Sequence, residues 1–183
     1  MPGKIHQVVG IKGLVGDQWV PITLDASGKL SIGSLDSDGR TSPAIPTVLA
    51  GGAYVSGDAV GSIITFTNVA AEAGKGAVLK NLEILTLNTT GPALELWLFD
   101  RPFTPATDND AFAVSDADLA YLVCVITTNN GDWFKDTSHA VASVEVSKRV
   151  IPFATSLYGQ LVTRAGVTYA VGSIIVKLSC LRE

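Results

Sequence analysis

The feature that most constrains this chain is a series of short runs in which apolar and β-branched residues recur at every second position. The runs are GSIITFTNV, AVLKNLEILTLN, ALELWLF, YLVCVITT, ASVEVSKRVI, SLYGQLVT and VGSIIVKLSCL. Clusters of Gly, Pro, Asn or Asp bound them, and apart from one short segment no long window shows the 3.6-residue period of a helix. Such strands and turns predict an all-β fold, an antiparallel β-sandwich or a barrel.

Two of the runs predict different degrees of coverage. In the run 93–99, large apolar residues stand on both faces, which is expected of a central strand covered on both sides. In the run 142–147, valines alternate with polar residues, which predicts a half-exposed strand.

The first 50 residues have a different character. In QWVPITLDASGKLSI, two apolar runs flank Asp25–Gly28, which predicts a hairpin turn. Residues 33–52 are rich in Gly, Ser, Pro and Asp, as in a linker. We therefore predict an N-terminal arm, hairpin and linker at 1–50 and a β-sandwich domain at 51–183.

An isolated hairpin is marginal in water, so the apolar residues of the arm must pack on something. The candidate contact residues are Trp19, Val20, Ile22 and Leu24. They can pack on the body of the same chain or on a neighbouring subunit, and the sequence leaves both open.

Composition limits the classes of partner. The chain is 47% hydrophobic and 16% charged, with a net charge of −4. Lys and Arg are scattered, which argues against a nucleic-acid partner. No apolar run reaches the roughly 18 residues of a membrane helix, and the N-terminus lacks the features of a signal peptide. We expect synthesis in a cytoplasm, and a surface that is either polar but uncharged or partly buried against partners.

The stretch 96–126 concentrates carboxylates between two apolar runs. Its aspartates are Asp100, Asp108, Asp110, Asp116 and Asp118. The EF-hand spacing fails, because Ala113 and Leu119 stand where the glycine and the glutamate would be needed. An irregular calcium site or a glycosidase pair stays open, but Ser115–Asp118 matches a capping start and predicts one short helix near 116–122.

No other residues form a recognisable site. His6 and His139 lack metal-ligand spacing, and Cys124 and Cys180 lie in apolar strands as buried thiols do. No phosphate-binding loop occurs. We therefore predict no catalytic, cofactor or metal residue. The loop NNGDWFKD places Trp133 and Phe134 among polar residues, either as a ligand platform or as a loop plug.

Four pieces of the chain together resemble a family of structural proteins of tailed bacteriophages. They are AYVSGDAVG at 53–61, LWLFD at 96–100, DNDAF at 108–112 and SDAD at 115–118. The resemblance covers residues 50–183 and implies a virion protein with a jelly-roll-like sandwich. None of the motifs has a known catalytic meaning.

These observations support three hypotheses. The first is a capsid decoration, or cement, protein on the virion surface. It would be made in the cytoplasm of a bacterial host, assemble with itself as a homotrimer and bind the major capsid protein through the arm. The second is a tail, baseplate or fibre component with a receptor- or glycan-binding sandwich. The third, which we disfavour, is an enzyme such as a glycosidase.

Overall fold

The regular secondary structure of the described chain is almost all antiparallel β-strand. The computed structural model describes residues 12–15, 18–21, 36–40, 44–48, 52–87, 89 and 91–182. The strands are β1 (Lys12–Val15), β2 (Gln18–Pro21), β3 (Asp36–Arg40), β4 (Ala59–Phe66), β5 (Ala77–Thr86), β6 (Leu94–Phe99), β7 (Leu122–Thr128), β8 (Trp133–Lys135), β9 (Ala140–Val150), β10 (Leu157–Thr163) and β11 (Ile174–Arg182). The helices are α1 (Asp116–Leu119) and a 3₁₀ helix at Asn130–Asp132.

Two sheets pack face to face as a sandwich. One has the order β4-β10-β6-β7 and the other β3-β11-β5-β9-β8. Alternate residues of the strands point inward, so that Leu94, Leu96 and Leu98 of β6 are buried in the core between the sheets. From the opposite sheet, Leu82 and Ile84 of β5 enter the same core. The all-β sandwich expected from the alternating runs is confirmed.

The order of the long strands follows a nested pattern. β6 pairs with β7, β5 with β9, β4 with β10 and β3 with β11. Each pair encloses the previous one in the sequence. The contacts of β11 with β5 and of β10 with β6 then join the nested pairs into the two sheets.

The strand β3 differs from the prediction for its part of the chain. Residues 36–40 were expected in a linker, but they pair with the C-terminal strand β11. Their sequence, DSDGR, has no apolar alternation, so only the pairing reveals the strand. Ala44 also bridges to Val176, and Val48 is buried in the core. Part of the predicted linker therefore belongs to the sandwich.

The chain divides into two compact units, Met1–Leu35 and Asp36–Glu183. In the first, β1 and β2 form a two-stranded antiparallel hairpin in which Leu14 is opposite Trp19. The hairpin turn predicted at Asp25–Gly28 lies outside the described residues. The second unit contains both sheets of the sandwich.

The predicted helix near 116–122 is present but shorter. It begins at Asp116, and the Ser115 hydroxyl accepts a hydrogen bond from the backbone N–H of Asp118 at 3.0 Å. It ends at Leu119 because the chain enters β7 at Leu122. The capping start is confirmed.

Candidate interaction surfaces

Two of the four motif segments named in the sequence analysis, 53–61 and 108–112, are joined beside β4, an edge strand of the four-stranded sheet. The Asp108 carboxylate accepts hydrogen bonds from the Tyr54 hydroxyl at 2.7 Å and from the backbone N–H of Gly61 at 2.5 Å. The backbone N–H of Phe112 donates to the Gly57 carbonyl at 2.9 Å. The segments 53–61 and 108–112 are therefore bound to each other, although about 50 residues separate them in the sequence.

The side chain of Gln160 attaches the same loop to the sheet. It is fully buried on β10, where its amide donates to the carbonyls of Ala106 and Gly61 at 2.7 and 2.9 Å. Its carbonyl oxygen accepts from the Ala106 N–H at 3.0 Å. On the neighbouring strand, Trp97 contacts the Phe112 ring with centroids 5.1 Å apart. The loop 100–115 thus covers part of the outer face of the four-stranded sheet.

Three of the five aspartates of this stretch have local partners of different kinds. Asp108 holds the loop, Asp118 accepts from the Ser115 hydroxyl at 2.9 Å, and Asp100 lies 3.1 Å from Arg101. In the part of the chain that the structure describes, no three His, Cys, Asp or Glu side chains are grouped as a metal ion would require. The interpretation of these aspartates as turn and cap residues fits this geometry at Asp108 and Asp118.

The two cysteines lie in strands, whereas His139 lies in an exposed turn. Cys180 is buried, where its thiol donates to the Val69 carbonyl at 3.4 Å, and Cys124 is half-buried; the two are not joined by a disulfide. Burial raises the pKa of both thiols, which disfavours the reactive thiolate. His139 lies 3.1 Å from Asp136 in an exposed turn, where the Asp136 carboxylate also accepts from two backbone N–H groups.

The two aromatic residues of the candidate ligand loop differ in their burial. Trp133 is 7% exposed, its indole N–H donates to the Pro92 carbonyl at 3.0 Å, and its ring lies against Gly91. Phe134 is 76% exposed. Trp133 is therefore a core residue, as in the loop-plug alternative, and of the two rings Phe134 is the one exposed to a ligand. The two differ because consecutive residues of a strand point to opposite faces.

The predicted arm contacts are only partly within the described chain. Trp19 and Val20 lie on β2, whose backbone pairs with β1. Ile22 and Leu24 lie outside the described residues. Their role as contact residues stays a prediction.

Several large hydrophobic side chains of the sandwich are exposed. They are Ile45, Val55, Leu87, Leu119, Phe134, Ile151, Phe153 and Val171. One of them, Phe153, shares a contact with the half-buried Tyr121: the Arg101 guanidinium lies 3.9 Å from the centre of the Tyr121 ring and 4.4 Å from that of Phe153. Except for Phe134, sequence reasoning missed these positions, because an isolated exposed apolar residue has no periodic signal.

A recess of about 310 Å³, whose lining surface is mostly apolar, opens beside the loop 100–115. It is lined by Thr47, Ser62, Pro105, Ala106, Thr107 and Asp108. Its hydroxyls and carboxylate can bind donors, but Asp108 already accepts from Tyr54 and Gly61. Asp108 therefore serves mainly to attach the loop, and the recess lies beside this attachment.

Comparisons with known proteins leave the family open. The chain matches no protein-family model, no curated protein and no solved structure. Among the described helices, none has the length and apolar character needed to cross a membrane.

Proposed function

We propose that this chain is a structural protein of a bacteriophage virion that decorates the capsid and stabilises the head by binding. The observation that carries the proposal is the joining of the segments 53–61 and 108–112 through Asp108, Tyr54 and Gly61. Residues of the quoted motifs thus make contacts between distant parts of the chain, and these contacts hold the fold together. Motifs that mark a family with a common fold are expected to make such contacts.

The strand order supports the same proposal. Four nested antiparallel pairs joined into two sheets support the jelly-roll-like arrangement that we propose for the sandwich, an architecture common in viral capsid proteins. Fold alone does not determine function, so the strand order only adds support to the contacts between the motif segments.

The surface chemistry favours binding over reaction. Large apolar side chains such as Phe134, Phe153 and Val171 are more than half exposed. Apolar area removed from water contributes about 25 cal/mol per Å², and in a shell of many copies this contribution is summed. Under the proposal the partners are the major capsid protein and further copies of this chain, as a homotrimer, on the capsid surface.

The first test is the copy number in purified virions of a phage that encodes this chain, measured by quantitative mass spectrometry. Decoration of the whole head predicts a copy number comparable to that of the major capsid protein. A value far below it would place the protein in the tail or at a vertex, and complete absence would contradict both virion roles.

The second test concerns the arm. Heads lacking the protein are incubated with the full chain or with a chain that begins at Asp36. We expect only the full chain to bind, and the variants Trp19→Ser and Ile22→Ser to bind more weakly. Equal binding of the truncated chain would contradict the role of the arm.

The alternative is a receptor- or glycan-binding component of the tail or baseplate. The exposed Phe134 favours it, because a ring that projects beside the polar 3₁₀ turn can stack on a sugar. Glycan binding that is lost in Phe134→Ser and kept in Phe153→Ser would support it. We propose no enzymatic activity. Hydrolysis abolished by alanine at one of the five aspartates, with folding intact, would contradict this.

A further inference from the structure

A continuous row of apolar side chains crosses the outer face of the five-stranded sheet. Strand register places Phe134 beside Val141, Val141 beside Leu85, and Leu85 beside Ile175. Ala44 forms an antiparallel bridge with Val176. The next residue, Ile45, therefore lies beside Ile175 and extends the row by one position. We name these five residues the outer row.

The residues of the outer row point away from the core. Their neighbours along the strands, such as Trp133, Ala142 and Ile84, are buried. Phe134 and Ile45, at the two ends, are 76% and 59% exposed, and the three residues between them are half-buried. A sheet face that meets only water normally carries polar residues at such positions.

The next row of the same face is polar. Ser143, Glu83 and Lys177 lie side by side in register, and the carboxylate of Glu83 is 3.8 Å from the Lys177 ammonium. An apolar centre with a polar rim is the usual anatomy of a protein interface. The outer face of the other sheet differs, because the loop 100–115 packs on it through Phe112 and Ala106.

We propose that the outer row is a docking surface for a second copy of this chain. The row is self-complementary about a two-fold axis that runs parallel to β5 between two facing sheets. Because β9 and β11 flank β5 on opposite sides, the axis places β9 of each copy over β11 of the other. Leu85 then meets Leu85, Val141 meets Ile175, and Phe134 meets Ile45.

The charges of the face fit the same axis. It places Lys177 over Ser143 of the second copy, and Glu145 lies two residues further along β9, exposed on the same face. A step of two residues is about 7 Å, which a lysine side chain can span. Two equivalent Lys177–Glu145 pairs therefore form at the rim, as a two-fold interface requires.

The area is sufficient for a stable contact. The row spans five neighbouring strand positions that are about 4.8 Å apart, and the strands are about 30 Å long. The face therefore measures roughly 700 Å². A standard interface buries about 800 Å² per partner. The contact goes beyond the proposed virion role and does not depend on it. It closes on two copies, so a homotrimer would require another surface.

The first experiment measures the mass of the purified full chain by light scattering over a concentration series. We expect a monomer–dimer equilibrium, whose Kd rises at least about 10-fold in Phe134→Ser. The matched control is Phe153→Ser, which removes a similarly exposed ring outside the row and should leave the Kd unchanged. Circular dichroism of each variant verifies folding.

The second experiment tests the geometry by charge exchange. Lys177→Glu and Glu145→Lys should each weaken the dimer, because each places like charges across the interface. The double variant should restore the affinity. The ion pair between Glu83 and Lys177 of the same chain cannot explain such a rescue, because Glu83 is unchanged in all three variants.

Three outcomes would overturn the inference. The first is a wild-type chain that stays monomeric, which would leave the row to the chain's own N-terminal residues or to another protein. The second is an equal effect of Phe134→Ser and Phe153→Ser. The third is a dimer whose charge-exchange double variant is no stronger than the single variants. All use purified protein, so the copy number in virions does not affect them.

Discussion

At the scale of single residues, Asp108 shows how a carboxylate can hold a loop without doing chemistry. It lies in the turn 108–110, where Asn109 adopts a φ of 66°, and it accepts from Tyr54 and Gly61. Burial and the hydrogen bond to Asp108 both raise the pKa of Tyr54, so the phenol stays protonated and continues to donate. The bond therefore depends on the carboxylate as acceptor.

Replacing Asp108 tests this role. We expect Asp108→Asn to lower the free energy of unfolding by about 1–2 kcal/mol, because a charged acceptor of hydrogen bonds is lost. Asp110→Asn, an exposed change in the same turn, should stay within about 0.5 kcal/mol. Urea unfolding of both variants measures the difference. Equal stabilities would show that Asp108 does not hold the loop.

The pair of Glu95 and Arg164 predicts a dependence of stability on pH. Arg164 donates to the Glu95 carboxylate at 2.6 Å, and this bond lowers the pKa of Glu95 below 4.5. The pair therefore stabilises the fold above about pH 5, and the contribution is lost as the pH falls through the lowered pKa. Because Arg164 is 41% exposed, we expect less than about 1 kcal/mol.

The matched variants are Glu95→Gln and Glu72→Gln, the second in an exposed loop. Urea unfolding at pH 7 and pH 3 should show a smaller loss of stability on acidification in Glu95→Gln than in wild type. Glu72→Gln should behave as wild type. An unchanged pH dependence in Glu95→Gln would contradict the assignment.

At the scale of elements, the centre of the four-stranded sheet depends on a glycine. Gly159 of β10 lies between Ile64 of β4 and Leu98 of β6. A Cβ atom here would lie 2.9 Å from the Trp97 carbonyl oxygen and 3.1 Å from two leucine side chains. The strand pairs closely because no side chain occupies this space.

We expect Gly159→Ala to lower the free energy of unfolding by about 1–3 kcal/mol, the usual cost of overpacking. Gly131→Ala is the control, because a Cβ atom there meets nothing within 4 Å. That variant should be neutral or more stable by up to about 1 kcal/mol. Denaturant unfolding measures both, and a neutral Gly159→Ala would show that the sheet adjusts freely.

At the scale of the whole molecule, the sandwich starts earlier than the composition suggests. The predicted boundary at residue 51 would remove β3, the bridge from Ala44 to Val176 and the buried Val48. The division at Asp36 keeps them. The difference matters because β3 is the outermost partner of β11 and closes the last of the nested pairs.

Two truncated chains test this boundary. A chain that begins at Asp36 should unfold cooperatively, because it contains every strand of both sheets. A chain that begins at residue 51 should be less stable by at least about 2 kcal/mol, through the loss of Val48 and of the pairing of β3. Circular dichroism during thermal and urea unfolding compares them. Equal stability of the two truncated chains would support the predicted domain boundary at residue 51.

Local patterns were sufficient for most strands of the sandwich and for the start of its α-helix. Alternation identified β4 to β7 and β9 to β11, because side chains of a strand point to opposite faces in turn. The start of α1 at Ser115 followed from hydrogen bonds within four residues. Such features involve only neighbours in the chain, so the sequence by itself determined them.

The tertiary structure alone decided the rest. Which strands pair, whether Trp133 or Phe134 is buried, and the strand formed by the polar residues 36–40 depend on partners far away in the sequence. The outer row exists only through the register of β8, β9, β5 and β11. No local pattern records these contacts, because their free energy arises when distant strands meet and bury one face of each.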